Sequence, residues 1–522
     1  MTSQDPEGRM PKNIVVFSDG TGQDGGVRPE QRISNVYKMY RVCRSGPENA
    51  IDPAAQVAFY DAGLGTDIGA TAMTAPVRFV QKLLASVTGR GITTNIADCY
   101  EFIINHHRPG DRIFLIGFSR GAYTVRCVAN LLMLCGIPTK GAAGPLPRFR
   151  KATRDIAQEA VETVLEHGAG HERAKFEAER NELAHRFRER YGSNHEDGEP
   201  ERSNAAPYFI GVFDTVAALG ARGFRRFAIQ AGLTVGATLG FALLGLIPAA
   251  IVAGLVHAGF GAHFRPSFGW ILTLLVALGG IWLWHRDRTS RTKTIRDFPN
   301  PGDVHTHMAE WKGENFDRLL SRFVRYARSA NAIDETREDF DRVAWGGIQD
   351  GAQVHPEGPT RLVQLWFAGN HSDIGGSYSE AESRLSDIAL GWMIEEATRI
   401  PDGLAVDGLK GSGDATGNPR LHLFPAADGV QHCEIASMHD TMERSVPRLL
   451  RRFSGSWTWA TKVRTIAHDA PVHRTVAERF DLPWVAQCAG SGSYRPAALA
   501  NHDRFKDRYD PPAAAQDASA SR

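Results

Sequence analysis

The chain has 522 residues, 42% hydrophobic and 23% charged, enough for one large domain with insertions or for several ordinary domains around sizeable cores. Sixty Lys and Arg against 59 Asp and Glu leave a net charge of +1, which argues against a chain-wide electrostatic binder of nucleic acid. The six cysteines, at positions 43, 99, 127, 135, 433 and 488, form no C-x-x-C pair and no zinc-type spacing with histidine, so they read as reduced, structural residues of a cytosol-facing protein. The first ten residues, MTSQDPEGRM, lack the apolar stretch of a secretory signal, and no cofactor motif stands out.

In chain order, residues 13–18 (NIVVFS) form a β-branched run ending in the turn Asp19-Gly20-Thr21-Gly22. Residues 56–60 (QVAFY) make a second strand. Ile96, Tyr100, Ile103 and Ile104 then recur at helical spacing, until Pro109-Gly110-Asp111 breaks the chain. Residues 112–117 (RIFLIG) are a strand of buried type, and 122–134 an apolar helix closed by Gly136 and Pro138. This alternation predicts an α/β fold with a doubly wound, mostly parallel sheet of α/β-hydrolase type. Residues 208–213 (YFIGVF) and 362–367 (LVQLWF) continue the strands, ending at Asp214 and at Ala368-Gly369-Asn370-His371.

Two stretches interrupt the pattern. Residues 139–206 are rich in Arg, Glu and Ala and read as one or two exposed helices laid over the core. Residues 227–265 hold no charge before Arg265, and 266–285 hold none at all; each exceeds or meets the ~20 residues a helix needs to cross a bilayer. A membrane hairpin with both ends on one side follows. Gly232, Gly236 and Gly240 offer a small-residue face for close packing, while Trp270, Trp282 and Trp284 suit the interface. Arg222, Arg225 and Arg226 precede the hairpin and Arg286, Arg288, Arg291 and Lys293 follow it, against Arg265 alone in the link. That asymmetry puts the body of the protein on the cytoplasmic side of an inner membrane. The alternatives are a buried helix pair of a soluble fold, or a re-entrant first segment broken near Pro248.

The chain thus divides into a first core part (1–138), a charged insertion (139–206), a core strand with its acid (207–226), the hairpin (227–286), a second core part (287–400), a mixed C-terminal region (401–510) and a disordered tail (511–522).

Gly117-Phe118-Ser119-Arg120-Gly121 matches G-x-S-x-G between a buried strand and an apolar helix, where a nucleophile elbow belongs. A serine nucleophile needs a base, and the base an orienting acid. Asp214 and His371 each follow a strand, in the chain order Ser, Asp, His, and parallel strands bring all three to one sheet edge. Ser119, Asp214 and His371 are therefore the candidate triad. The oxyanion donors are the backbone N–H of Arg120 with Gly20 or Thr21, and Asp19 and Asp373 are possible supports. Asp373 is a rival acid, and His439 and His473 are rival bases. Two readings of another class stay open: a non-enzymatic membrane scaffold, and a metal-dependent phosphoesterase built on Asp19, Asp214, His371 and Asp373.

Five motifs appear in sequence: Ser18-Asp19-Gly20-Thr21; Gly117-Phe118-Ser119-Arg120-Gly121-Ala122; Val212-Phe213-Asp214-Thr215-Val216; Tyr326-Ala327-Arg328 with Ile333-Asp334-Glu335; and Gly369-Asn370-His371-Ser372-Asp373-Ile374-Gly375-Gly376. Together they resemble the DUF2235 family of α/β-hydrolases, which includes phospholipase effectors of bacterial type VI secretion, over most of residues 12–395. The resemblance implies a Ser-Asp-His hydrolase acting on acyl esters of phospholipids, and favours Asp214 and His371 over their rivals; the triad mechanism needs no metal. The hairpin, read as a permanent anchor, is awkward for an effector exported in soluble form and fits a resident membrane enzyme.

Overall fold

The computed structural model describes residues 9–20, 33–46, 49–63, 90–141, 144–199, 202–216, 223–311, 320–345, 359–410, 421–435, 460–488 and 490–509. Six strands form one sheet: β1 (Asn13–Ser18), β2 (Gln56–Asp61), β3 (Arg112–Phe118), β4 (Phe209–Phe213), β5 (Tyr326–Ala332) and β6 (Leu362–Phe367). Their spatial order is β6-β5-β4-β3-β1-β2, and every pairing is parallel. The connections run one way from β1 to β2 and the other way from β3 onward. The topological switch point, outside whose strand ends ligands bind in open α/β sheets, therefore lies between β1 and β3.

Side chains alternate between two cores. Ile14, Val16, Ile113, Leu115, Ile210 and Val212 meet α2 (Arg90–His106) and α3 (Arg120–Cys135) on one face. Val15, Phe17, Phe114, Ile116 and Phe213 meet α1 (Asn35–Cys43) and α8 (Arg384–Thr398) on the other. Both faces are covered, as a parallel sheet requires. The expected doubly wound α/β architecture is present.

The charged insertion contains α4 (Lys151–Glu159), which runs into a π-helical stretch Ala160–Leu165, and α5 (Arg173–Tyr191). It is more than an exposed layer. Ala160, Val161, Val164, Leu165, Ala184 and Phe187 are buried in the same core as α2 and α3. Arg and Glu hid this apolar face in the composition.

After β4 come α6 (Gly223–Phe260) and α7 (Phe264–Arg291), which pack on each other as an antiparallel pair. Within them Thr238–Phe260 and Phe264–Arg291 are long and apolar enough to cross a membrane. The buried-pair alternative fails, because Leu244 is 76% exposed and Ile247 73%. Pro248 does not break α6, so a re-entrant kink is absent there. At 1.5 Å per residue its 38 residues span about 57 Å. The expected small-residue face needs correction: a Cβ on Gly232, Gly236 or Gly240 would meet nothing within 4 Å. Helix contact uses a second stripe at the same four-residue period, the buried Gly245, Ala249 and Ala253. On the partner helix, a Cβ on Gly279 would sit 2.6 Å from the Phe241 ring. The interface follows the stripe that lies opposite bulky partners, and the earlier glycines fall outside that register.

The C-terminal region docks on the edge of the sheet. Trp366 N–H of β6 donates to Pro471 O at 3.0 Å, and His473 N–H donates to Trp366 O at 2.9 Å, so the open edge strand is covered there. Beneath it, Val476 and Phe480 of α9 (Arg474–Asp481) bury against Ile333, Trp366, Tyr494, Leu499 and Phe505. Cys433 and Cys488 form a disulfide, which corrects the reading of all six cysteines as reduced; Cys43, Cys99, Cys127 and Cys135 are free and buried. Fifty-five residues separate the pair, so no local spacing announces it.

Candidate active site

Ser119 stands at the turn from β3 into α3, with φ +57° and ψ −122°. This left-handed conformation is uncommon for a residue with a side chain, and it persists only where the surroundings impose it. The two flanking glycines are those surroundings. A Cβ on Gly117 would lie 2.6 Å from Gly121 O, and one on Gly121 would lie 2.1 Å from Ser18 O. No side chain fits at either position, which is the physical content of the G-x-S-x-G spacing. Backbone bonds hold the turn against the next strand: Ser119 N–H donates to Phe213 O (3.1 Å), and Val216 N–H donates to Ser119 O (3.3 Å).

Asp214 follows β4, also at positive φ (+39°), and is fully buried. Its Oδ2 lies 2.6 Å from His371 Nδ1, and its Oδ1 accepts the Ala332 N–H at 3.0 Å. His371 opens a single helical turn, His371–Gly375, after β6. Its backbone N–H donates to Glu335 Oε2 (3.2 Å), and its ring packs near Phe118 and Phe340. With Nδ1 on the carboxylate, Nε2 is buried and has no hydrogen-bond partner among the described residues.

One partner had no sequence signal at all. Arg464 grips Asp214 with both guanidinium nitrogens, Nη2 donating to Oδ2 at 2.9 Å and Nη1 to Oδ1. Burial alone would raise the Asp214 pKa. The Arg464 charge, then the hydrogen bond and charge of His371, outweigh that and hold the carboxyl well below the usual range. Asp214 is therefore a carboxylate throughout the working pH range.

The supporting residues sort differently. Asp373 is not an acid for His371: it completes a capping box with Asn370, and its Oδ1 lies 2.7 Å from His432 Nδ1. Asp334 ties the same loop down, accepting Gly369 N–H and Tyr494 O–H at 2.7 Å each. Asp19 accepts from Ser34 Oγ, from Tyr60 O–H (2.7 Å) and from Gly20 N–H (2.7 Å). Burial lifts its pKa to about 6 against those three donors. Because Asp19 takes the Gly20 N–H, that group is not free as an oxyanion donor; this corrects one expectation, and its alternative, Thr21, lies outside the described residues. A Cβ on Gly20 would lie 3.4 Å from Ser119 Cβ, so the loop does reach the serine. Arg120 contributes the first N–H of α3, beside that serine.

Of the rival bases, His473 caps α9 and stacks on Phe367, 4.8 Å between ring centroids, while His439 lies outside the described residues. The four residues of the metal-site reading do not gather: Asp214 faces a guanidinium, Asp373 a histidine, and Asp19 hydroxyls. The group of described residues with ligand-capable atoms mutually within 4.8 Å is His167, Glu179 and His307, in the insertion and the hairpin strand after α7.

Comparison with known proteins shows the family. An uncharacterized protein of Saccharomyces cerevisiae (strain ATCC 204508 / S288c), YEL023C, is 23% identical over 435 residues, covering 74% of this chain and 57% of that protein. The chain thus spans less than two thirds of that relative's length. A crystal structure of an uncharacterized protein from Pseudomonas aeruginosa aligns over 77% of this chain and 47% of that one, at 16% identity and a TM-score of 0.31. The family model described as the catalytic domain of the Tle1-like phospholipase effectors of type VI secretion matches residues 12–237 and 293–396, breaking at the helical hairpin. With more than half of its length so matched, this chain belongs to the Tle1-like phospholipase effector family, the DUF2235 family.

Proposed function

We propose that the protein is a membrane-anchored serine hydrolase of α/β-hydrolase type that cleaves acyl esters of phospholipids. The observation that carries the reading is the buried His371–Asp214 pair, 2.6 Å apart, whose second imidazole nitrogen is left unpartnered at the sheet edge that bears the Ser119 elbow. Ser119 Oγ attacks the ester carbonyl while His371 Nε2 takes its proton. Asp214 fixes the tautomer through Nδ1 and stabilises the imidazolium. The Arg120 N–H at the start of α3, with that of Thr21 as second donor, receives the negative charge on the carbonyl oxygen. His371 returns the proton to the leaving alcohol, then activates the water that frees the acyl group. Membership of a phospholipase-effector family supports the lipid substrate.

The hairpin supports the anchoring. It leaves the sheet a few residues after Asp214, and its two helices turn apolar side chains outward. Lipid acyl chains would therefore be met at high local concentration beside the triad. The arginines at its base, two of them stacked on Trp282 and Trp284, favour the cytoplasmic side. The family match breaks across residues 238–292, within the hairpin.

A fluorophosphonate probe applied to detergent-solubilised protein tests the serine, and phospholipid vesicles test the substrate. Labelling should vanish in Ser119→Ala, and wild type should release fatty acid from vesicles. A folded wild type that takes no label would overturn the serine mechanism. Efficient cleavage of short soluble esters with no action on vesicles would overturn the lipid assignment.

A further inference from the structure

Arg464 lies in the C-terminal stretch, outside the residues that the family model matches, 12–237 and 293–396. Yet it is buried at the centre of the site. Besides its fork on Asp214, Nη1 donates to Ala332 O (3.1 Å) and Nη2 to Phe340 O (2.9 Å). Each oxygen of Asp214 consequently has two partners: Ala332 N–H and Arg464 on Oδ1, His371 and Arg464 on Oδ2. The pairing of residues 460–462 with 336–338, together with that of 471–473 along β6, brings this arginine within reach. Resting on the triad assignment above, we propose that Arg464 is a positioning residue, which locks Asp214 in one orientation and so aims its hydrogen bond at His371 Nδ1.

An aspartate beside a histidine stabilises the protonated imidazole. The fork fixes the carboxylate plane, and with it the direction of the Nδ1 hydrogen bond. The other charged groups nearby are already committed. Glu335, which holds the His371 backbone N–H, is bound by Arg337 through two bonds of 2.8 and 2.7 Å. Arg342 and Asp341 lie within electrostatic range of Asp214 and Arg464 respectively, and Asp341 is paired with Lys462.

The test is the rate of fluorophosphonate labelling of the full-length, detergent-solubilised protein, for wild type, Arg464→Lys and Arg464→Met, with and without millimolar guanidinium ion. In Arg464→Met the rate should fall roughly 10- to 100-fold, as the orienting bond is lost, and added guanidinium should restore part of it. Arg464→Lys keeps the charge without the fork, so its rate should also drop. An unchanged rate in Arg464→Met, or a lowered rate in folded protein that guanidinium does not raise, would overturn the proposal. If Arg464→Met does not fold, Arg464→Lys decides: a wild-type rate would show that the fork has no role. Absence of label in the wild type would instead bring down the triad assignment, so the two failures are distinguishable.

Discussion

Leu131 and Leu132 of α3 are fully buried under the sheet, whereas Leu244 and Ile247 of α6 are about three-quarters exposed. The polar groups differ in the same sense. At the sheet edge Asp214, Glu335, Asp373 and Asp19 are buried and each is met by two or more donors. Over residues 238–260 there is no charged side chain to satisfy. One part of the molecule is built for an interior surrounded by water, the other for contact with something as apolar as itself. The difference teaches that the helices are not a core packed within this chain. Under the anchoring proposed above they are a separate solution to burial, in which lipid supplies the second layer.

The largest effect should separate chemistry from both environments. His371→Ala should lower the rate of ester cleavage by roughly a thousandfold or more while leaving membrane association intact, measured by turnover and by fractionation. A second experiment contrasts two leucines. Leu131→Ala should destabilise the folded protein by about 2–5 kcal/mol in detergent, through loss of contacts and the cavity left behind. Leu244→Ala should change stability by less than about 0.5 kcal/mol. Equal losses would mean that the hairpin face is packed after all. Leu244→Arg sharpens the contrast, since a charge there should cost about 3 kcal/mol of membrane insertion, read as protein lost from the carbonate-washed membrane fraction.

The third effect concerns the carboxylates near the switch point. Burial lifts Asp19 to about 6 and Asp61 to about 7, above the ordinary value of about 4 that they have in the unfolded chain. Between pH 4 and 7 the folded protein thus holds protons that the unfolded chain has lost, and stability falls as pH rises through that window. In Asp19→Asn this contribution disappears. The stability of the wild type relative to the variant should decline by roughly 2–3 kcal/mol between pH 4 and 8 in thermal or denaturant unfolding. A pH-independent difference would mean that Asp19 is ionised at all these values. The smallest effect lies in the hairpin: Gly279→Ala crowds the Phe241 ring and should loosen the helix pair by about 1 kcal/mol, whereas Gly236→Ala should do nothing measurable.

Much of this organisation was legible in the residues. Five of the six strands follow from β-branched runs closed by turn signals, with ends within a residue of those observed. The sixth, β5, reads YARSANA and gave no such signal. It is central and buried throughout, yet Arg328, Ser329 and Asn331 sit in it with internal partners: Glu396 and backbone carbonyls for the arginine, the β6 Leu365 carbonyl for the asparagine. A strand that buries polar groups against polar groups shows no hydrophobic period. The candidate site divides in the same way. Ser119, Asp214 and His371 announce themselves because each follows a strand. Arg464 does not, because it lies 250 residues from the carboxylate it holds and no local pattern marks it. The Gly232-Gly236-Gly240 stripe misled for a related reason: spacing identifies a face, and only the partner helix decides which face is used.

The position of Arg464 in the chain also orders events during synthesis. If the hairpin enters the bilayer as it emerges, the first four strands are already made and β5, β6 and the arginine are not. At ordinary translation rates, residue 464 follows the end of α7 by roughly ten to thirty seconds. The nascent protein would therefore be fastened to its membrane before the carboxylate receives its clamp. An enzyme directed at lipid would gain its full power only once it had been delivered to its place.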